Sequence, residues 1–318
     1  MFEKIIPIME SAAKVGLFGH THPDGDAMGS CYALSLALRS LGKQTKVFLL
    51  DDYEVHAHKL IVPGDEPNIT PEDCDLLIAL DCGDSKRLEK YEQMFLNHGN
   101  TIAIDHHITH VKFAKSGTVV ADVSSTCELI YFLLKEMNIS LTKDIASNLY
   151  IGLTTDTGNF KYSSVTGDTL RAAADVIDTG IDFSDMARVL FSTKSIGYYS
   201  LMQIALDKLQ ILCDGRAAVI YLSDDDFQSS GISEDEASAI VNIPGSIEGV
   251  EVGAYIRKRG DSEYKVSLRS NYYVDVAELA AYFGGGGHVH ASGYSVFDKG
   301  IDGIITELTK ELDKRWQE

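Results

Sequence analysis

The chain has 318 residues, with 28 Lys and Arg against 47 Asp and Glu, so its formal net charge is −19. About two domains are expected at this length. With 45% hydrophobic and 24% charged residues, the chain has the balance of an ordinary globular protein able to bury sizeable cores. The acidic excess excludes a basic, DNA-coating protein, which needs surplus Lys and Arg to neutralise phosphates. It does not exclude a small anionic substrate, because local charge can oppose the global sign.

No stretch approaches the roughly 18 apolar residues of a membrane span. The opening MFEKIIPIMESAAKVG has two acids and no clean apolar block, so it does not read as a signal peptide. The cysteines Cys31, Cys74, Cys82, Cys127 and Cys213 are odd in number, scattered and free of any C-x-x-C pair. That favours reduced thiols and a cytoplasmic setting over a disulfide framework or a zinc site.

In chain order, KVGLFGH at 14–20 is a short strand-like run that ends in polar residues. A helical pattern follows over Ala27–Leu41, with Leu34, Leu38 and Leu41 in phase and Gly42 as a stop. Further apolar runs occupy 45–50, 75–83 and 101–107, separated by helix-like sequence such as Ser85–Asn97. Near-continuous apolar runs in βαβα order predict a parallel sheet covered on both faces. Helical patterns then dominate at Ser125–Met137, Lys143–Thr155, Thr166–Asp178 and Phe183–Leu190.

The second half differs. Residues 209–223 form two apolar runs joined at Asp214-Gly215, a hairpin signal. Ser233 to Glu236 fits a capping box ahead of a helix. Val250–Arg257 and Tyr264–Arg269 flank Gly260-Asp261, a second hairpin, for which a turn explains the Arg259-Gly260-Asp261 tripeptide. The fold expected is α/β: a first domain over 1–190, a helical linker over 191–210, and a smaller α/β domain with a mixed sheet over 211–318, with an active-site cleft between the two.

Three apolar runs of the first half end in metal-ligand residue types: His20 followed by Asp24 and Asp26, then Asp81, then Asp105-His106-His107. In open parallel sheets, ligand sites lie beyond the carboxyl ends of the strands. Asp156 in Thr154-Thr155-Asp156-Thr157-Gly158 adds a fourth segment. Singly, each has an ordinary explanation. His20 could be a satisfied polar residue, Asp81 a helix cap, Asp24-Gly25 a turn and Asp156 part of a helix C-terminal loop. Jointly, these explanations fit poorly. Carboxylates and imidazoles without thiolates suit Mn²⁺, Mg²⁺ or similar ions. At least six candidate ligands exceed the needs of one ion and match two ions bridged by a carboxylate, about 3.5–4 Å apart.

These segments, in this order, resemble the four motifs of the DHH phosphoesterase superfamily, and Gly284-Gly285-Gly286-Gly287-His288 resembles the glycine-rich signature of the DHHA1 domain. The match covers nearly the whole chain. The short two-domain form is similar to stand-alone nano-RNA hydrolases with adenosine bisphosphate phosphatase activity. The resemblance implies that one ion takes His20, Asp24 and Asp81, and the other takes Asp26, Asp81, His106 and Asp156. It implies that Asp105 orients a histidine and that His107 lies near the scissile phosphate. In the second domain, the glycines would let backbone N–H groups approach a phosphate, with Arg269 and His288 as further contacts. One departure is Val289 after the glycine-rich His, where relatives often carry a basic or polar residue; His290 comes after it.

The activity implied is hydrolysis of short oligoribonucleotides, and of adenosine 3′,5′-bisphosphate to AMP, by a hydroxide activated by two divalent cations. Mn²⁺ is expected, with Mg²⁺ or Co²⁺ as substitutes. The partners would be short RNA or DNA oligonucleotides or nucleotide bisphosphates, without long duplex DNA or a membrane; a homodimer is left open. Two other readings stand beside it: an inorganic pyro- or polyphosphatase, and a non-catalytic nucleotide-binding module. Arg257, Lys258, Arg259 and Lys265 form a local basic cluster that reads as a solvated turn. Tyr272 and Tyr273 could stack on a base, but packing within the domain is the expectation.

Overall fold

The computed structural model describes residues 1–50, 57–234, 236–260 and 262–316. The chain separates into two compact units, Met1–Thr193 and Lys194–Glu318. Among the described residues no helix is long and apolar enough to cross a membrane.

The first unit runs α1 (Ile6–Ser11), β1 (Lys14–Phe18), α2 (Gly25–Ser40), β2 (Gln44–Val47), β3 (Leu76–Leu80), α3 (Glu92–Asn97), β4 (Thr101–Asp105), β5 (Ser116–Val119), α4 (Thr126–Glu136), α5 (Lys143–Asp156), α6 (Gly167–Asp178) and α7 (Phe183–Ala187). The sheet order is β2-β1-β3-β4-β5, and every pairing is parallel. The apolar runs alternate between two cores, as the period of two requires. Val15, Leu17, Ile78, Leu80, Ile102 and Ile104 share one core with α2, α4 and α5. Phe18, Leu77, Ala79 and Ala103 share the other with Phe48, Leu88 and Phe95.

The helix expected over Ser85–Asn97 is broken. Residues Ser85–Tyr91 form a 3₁₀ segment with Glu89 at φ 45°, and α3 begins only at Glu92. The carboxylate of Asp84 caps the segment by accepting from the Lys86 N–H at 2.8 Å, so Asp81 is free of that task. The strand order reverses between β1 and β3, which makes their carboxyl ends the crevice where such sheets bind ligands.

The second unit contains α8 (Ile196–Asp207), β6 (Gln210–Leu212), β7 (Ala217–Leu222), α9 (Asp224–Ser230), β8 (Val252–Arg259), β9 (Glu263–Ser270), α10 (Val276–Tyr282), β10 (Gly286–His288), β11 (Ala291–Phe297) and α11 (Ile301–Asp313). Its sheet, β10-β11-β9-β8-β7-β6, is mixed: β7 and β8 are parallel and the other neighbours antiparallel. Both expected hairpins form, β6–β7 and β8–β9. Asp261 in the second turn lies outside the described residues.

The stretch 191–210 holds α8, whose Tyr198, Leu201 and Ala205 are buried with Ile220, Leu222 and Phe227 of the second unit. The capping box at Ser233 forms, with the Glu236 N–H donating to Ser233 Oγ and the Ser233 N–H donating to the Glu236 carboxylate. It opens onto turns and a 3₁₀ segment at Ser238–Asn242 instead of an α-helix. Asp235 lies outside the described residues. Pro244 and two glycines follow within a few residues, and Gly and Pro are the poorest helix formers.

Candidate metal centre

Each site residue of the first unit sits at the end of an element. His20 follows β1, Asp81 follows β3, Asp105 ends β4 and leads into His106 and His107, and Asp156 ends α5. Asp24 caps α2, its Oδ1 accepting from the N–H groups of Asp26 and Ala27 at 3.0 Å. Asp26 lies in the first turn of the same helix and is wholly buried.

These side chains converge. Three overlapping groups could each hold a cation: His20 with Asp24 and Asp81, Asp26 with His106 and Asp156, and Asp81 with His106 and His107. His20 Nε2 lies 3.8 Å from Asp24 Oδ1 and 3.6 Å from Asp81 Oδ2. His106 Nε2 lies 3.9 Å from Asp26 Oδ2, 3.6 Å from Asp81 Oδ1 and 3.1 Å from Asp156 Oδ2. The two oxygens of Asp81 therefore serve different groups. Its backbone is at φ 57°, a left-handed conformation that costs on the order of 1–3 kcal/mol and clusters at functional sites. Burial of a single strand leucine returns a comparable ~1.5–3 kcal/mol, so the two cores easily hold this residue in place.

Asp26 has a further support. Its Oδ2 accepts from the Thr126 N–H at 2.6 Å and its Oδ1 from the Cys127 N–H at 2.8 Å. These are first-turn amides of α4, where unpaired N–H groups and the helix dipole favour an anion. Thr126 Oγ1 also donates to Asp81 Oδ1 at 3.0 Å. The close approach needs Gly152 on α5: a Cβ there would lie 2.5 Å from Asp26 Oδ1 and 2.2 Å from Cys127 Sγ.

Without cations the electrostatics conflict. Burial pushes the Asp26 carboxyl well above the usual range, and the charges of Asp81 and Asp156 push it further. Burial also raises Asp156. At His106, burial favours the neutral ring, but the Asp156 hydrogen bond and the charges of Asp26, Asp81 and Asp156 outweigh it and hold the ring up to about 10. Buried carboxylates that repel one another and overload an imidazole are a donor set suited to divalent cations. The His20 ring agrees: its Nδ1 is 2.7 Å from the Thr21 carbonyl, so Nδ1 carries the proton and Nε2 is left to ligate.

Asp105 is wholly buried, and its two oxygens each hold a histidine: Oδ1 lies 2.7 Å from His107 Nδ1 and Oδ2 lies 2.6 Å from His110 Nδ1. Burial alone would raise its carboxyl, yet these two hydrogen bonds hold it below the usual range. Asp105 thus orients His107 and His110. Its contact with His106 is through the backbone N–H.

In the second unit, Arg269 is half-buried. Among the described residues its side chain donates only to the Leu268 carbonyl, at 2.9 Å, and has no carboxylate partner. Burial lowers its guanidinium from the usual value. The glycine run is an edge strand, with Gly286, Gly287 and His288 paired to β11. Gly287 is at φ 148°, and a Cβ there would meet Ser292 Cα at 2.5 Å. A Cβ on Gly285 would meet the Gly293 carbonyl at 2.2 Å, whereas Gly286 and the exposed His288 face open space. From Gly286 on, the run is therefore paired as a strand and is not an unpaired connector. Tyr272 and Tyr273, expected to pack inside, are 81% and 62% exposed.

Four contributors to the first site were not legible as such: Thr126, Cys127, Gly152 and His110. Ser125-Thr126 before an apolar helical run marks a helix N-terminus, a readable anion-binding signal. Gly152 inside a helix and a lone His110 in a loop carry no such signal.

Two family models match, the DHH family N-terminal domain over residues 14–153 and the DHHA1 domain over residues 214–317. A bifunctional oligoribonuclease and PAP phosphatase NrnA of Thermus thermophilus is 31% identical over 311 residues, covering 93% of this chain and 89% of the relative. A Bacillus subtilis protein of the same name is 28% identical over 92% of each chain. The crystal structure of an exopolyphosphatase-related protein from Bacteroides fragilis superposes with a TM-score of 0.84 at 26% identity, covering 100% of this chain and 97% of the other. The chain therefore belongs to the DHH phosphoesterase family, in the form that carries a C-terminal DHHA1 domain.

Proposed function

We propose that the protein hydrolyses short oligoribonucleotides to mononucleotides, and adenosine 3′,5′-bisphosphate to AMP, with two Mn²⁺ ions or, in their place, Mg²⁺ or Co²⁺. The carrying observation is Asp81, whose two oxygens face two separate ligand groups. His20, Asp24 and Asp81 would hold one ion, and Asp26, Asp81, His106 and Asp156 the other. When bound, such a pair polarises phosphoryl oxygens and lowers the pKa of water.

The chain's own residues supply the rest. Thr126 and the α4 amides fix the carboxylates. Asp105 engages His107 at Nδ1, which leaves Nε2 available to a substrate. The Asp105 hydrogen bond raises His107 against the opposing effect of burial, so the ring can carry a proton to the leaving oxygen or stabilise phosphate charge at Nε2. Arg269, the amides of Gly285, Gly286 and Gly287, and His288 would hold the part of the substrate that does not react. Names of relatives support the nucleotide reading.

The test is release of mononucleotides from a short RNA in the presence of Mn²⁺, with pyrophosphate as the comparison substrate. Turnover of the RNA in preference to pyrophosphate supports the reading. Turnover of pyrophosphate alone replaces it with the inorganic phosphatase, and binding of nucleotide without turnover replaces it with a binding module.

A further inference from the structure

The loop after β9 carries two exposed aromatic rings on a backbone that is pinned down. Glu251 is 4% exposed, and its carboxylate accepts from the N–H groups of Tyr272 (3.1 Å), Tyr273 (2.8 Å) and Val274 (2.8 Å). The Asn271 N–H donates to the Glu251 carbonyl at 3.0 Å, and Asn271 Nδ2 donates to the carbonyls of Gly245 and Val250 at 2.8 and 2.7 Å. A buried carboxylate spent on three consecutive amides fixes the loop strongly, since charge-assisted hydrogen bonds are about twice as strong as neutral ones. Yet the two rings this fixed backbone carries are left in water. Exposed aromatic side chains, with only two χ angles each, are low-entropy anchors from which binding surfaces are built.

The surroundings indicate what they face. Tyr272 and Tyr273 wall a cavity of about 410 Å³, together with Arg216, Ser246, Glu248 and Asn271, a volume in the range of small-ligand sites. Its lining includes Glu248 and Glu251 against Arg216 as its one cationic residue, so it suits a neutral ring better than a phosphate. Three residues upstream of Tyr272, Arg269 is half-buried without a carboxylate partner among the described residues. A cation without an anionic partner and, three residues on, a pair of exposed rings lining a cavity match the phosphate and the base of a nucleotide.

We propose that Tyr272 and Tyr273 form a nucleobase-stacking platform that receives the base of the nucleotide whose phosphate meets Arg269. This rests on the nucleotide reading above and deepens it: recognition of the far end of the substrate is by its base as well as its phosphate, and it is tolerant of sequence because every base has a π-face.

The test is equilibrium binding, so it does not depend on turnover. The full chain is titrated with a dinucleotide bearing a non-hydrolysable linkage, and with the same molecule lacking its bases. The variant Tyr272→Ala/Tyr273→Ala is expected to bind the dinucleotide about tenfold or more weakly, and Tyr272→Phe/Tyr273→Phe to bind it like the parent. The abasic analogue should bind parent and both variants alike. Equal dinucleotide affinity in the parent and the alanine variant overturns the platform, as does an equal loss on the abasic analogue. A parent that binds the dinucleotide in this way but never cleaves a natural one overturns the hydrolase reading and leaves the platform standing. A parent that binds neither overturns both.

Discussion

The two units carry opposite electrostatic problems. In the first, buried carboxylates crowd together, so Asp26 and Asp156 are pushed up by burial and by their neighbours while His106 is overloaded with negative partners. In the second, Arg269 is a half-buried cation with no anion among the described residues. Neither arrangement is explained by stability, because unneutralised buried charge costs free energy. Divalent cations would relieve the first arrangement and a phosphate the second, so the protein's acidic total of −19 says little about its substrate.

If the first unit is the chemical one, its shared carboxylate should matter most. Asp81→Ala is expected to lower kcat on the order of a thousandfold, since the stabilisation a metal pair provides is several kcal/mol and each ~1.4 kcal/mol is tenfold. In the parent, Mn²⁺ should raise the melting temperature and a chelator should reverse the gain, because cations bind the folded carboxylate cluster and not the unfolded chain. In the variant that gain should shrink sharply. An Asp81→Ala protein with normal turnover and a normal Mn²⁺ response would break the comparison at its root.

The next effect is at Asp105. Asp105→Asn keeps the shape but replaces a carboxylate that holds two histidines, and outer partners of this kind cost about 10–100-fold in metal affinity or activity. Loss is expected in kcat with KM little changed, because His107 is the group displaced. His110→Asn should give a smaller loss of the same kind, since His107 keeps its own hydrogen bond to Asp105.

The sequence exposes this centre unevenly. Ligands at the ends of apolar runs were legible, because a parallel sheet delivers successive strand ends to one edge and the runs end in His20, Asp81 and Asp105. Supports that act through packing were not. Thr126 and Cys127 meet Asp26 across a sequence separation of about a hundred residues, a contact that no local pattern encodes. Where the fold departed from expectation, local chemistry lost to tertiary context. The Ser233 capping box formed both its hydrogen bonds but gained no α-helix, and Tyr272 and Tyr273, apolar enough to be buried, sit exposed on a loop whose backbone N–H groups are tied to Glu251.

In the second unit the expected effects are smaller and of a different kind. Arg269→Ala should raise KM for a short RNA by about 10–100-fold, from the loss of charge-assisted hydrogen bonds of ~1.5–3 kcal/mol, with kcat at saturation nearly unchanged. Steady-state kinetics over a range of RNA concentrations read this directly. A fall in kcat without a change in KM would place Arg269 in the chemistry and erase the division of labour between the units.

The smallest expected change tests how the first site is built. Gly152→Ala adds one methyl group where a Cβ would lie 2.2 Å from Cys127 Sγ and 2.5 Å from Asp26 Oδ1. Forcing a methyl group into a packed interior costs about 1–3 kcal/mol, so thermal or urea unfolding should show a loss of that size. Adding Cys127→Ala removes the sulfur but leaves Asp26 Oδ1 in the way. The double variant should therefore recover part of the stability while its stabilisation by Mn²⁺ stays weak. Recovery of both together would mean that Gly152 serves only the packing of α5 on α4 and that Asp26 is placed by the amides of α4 alone.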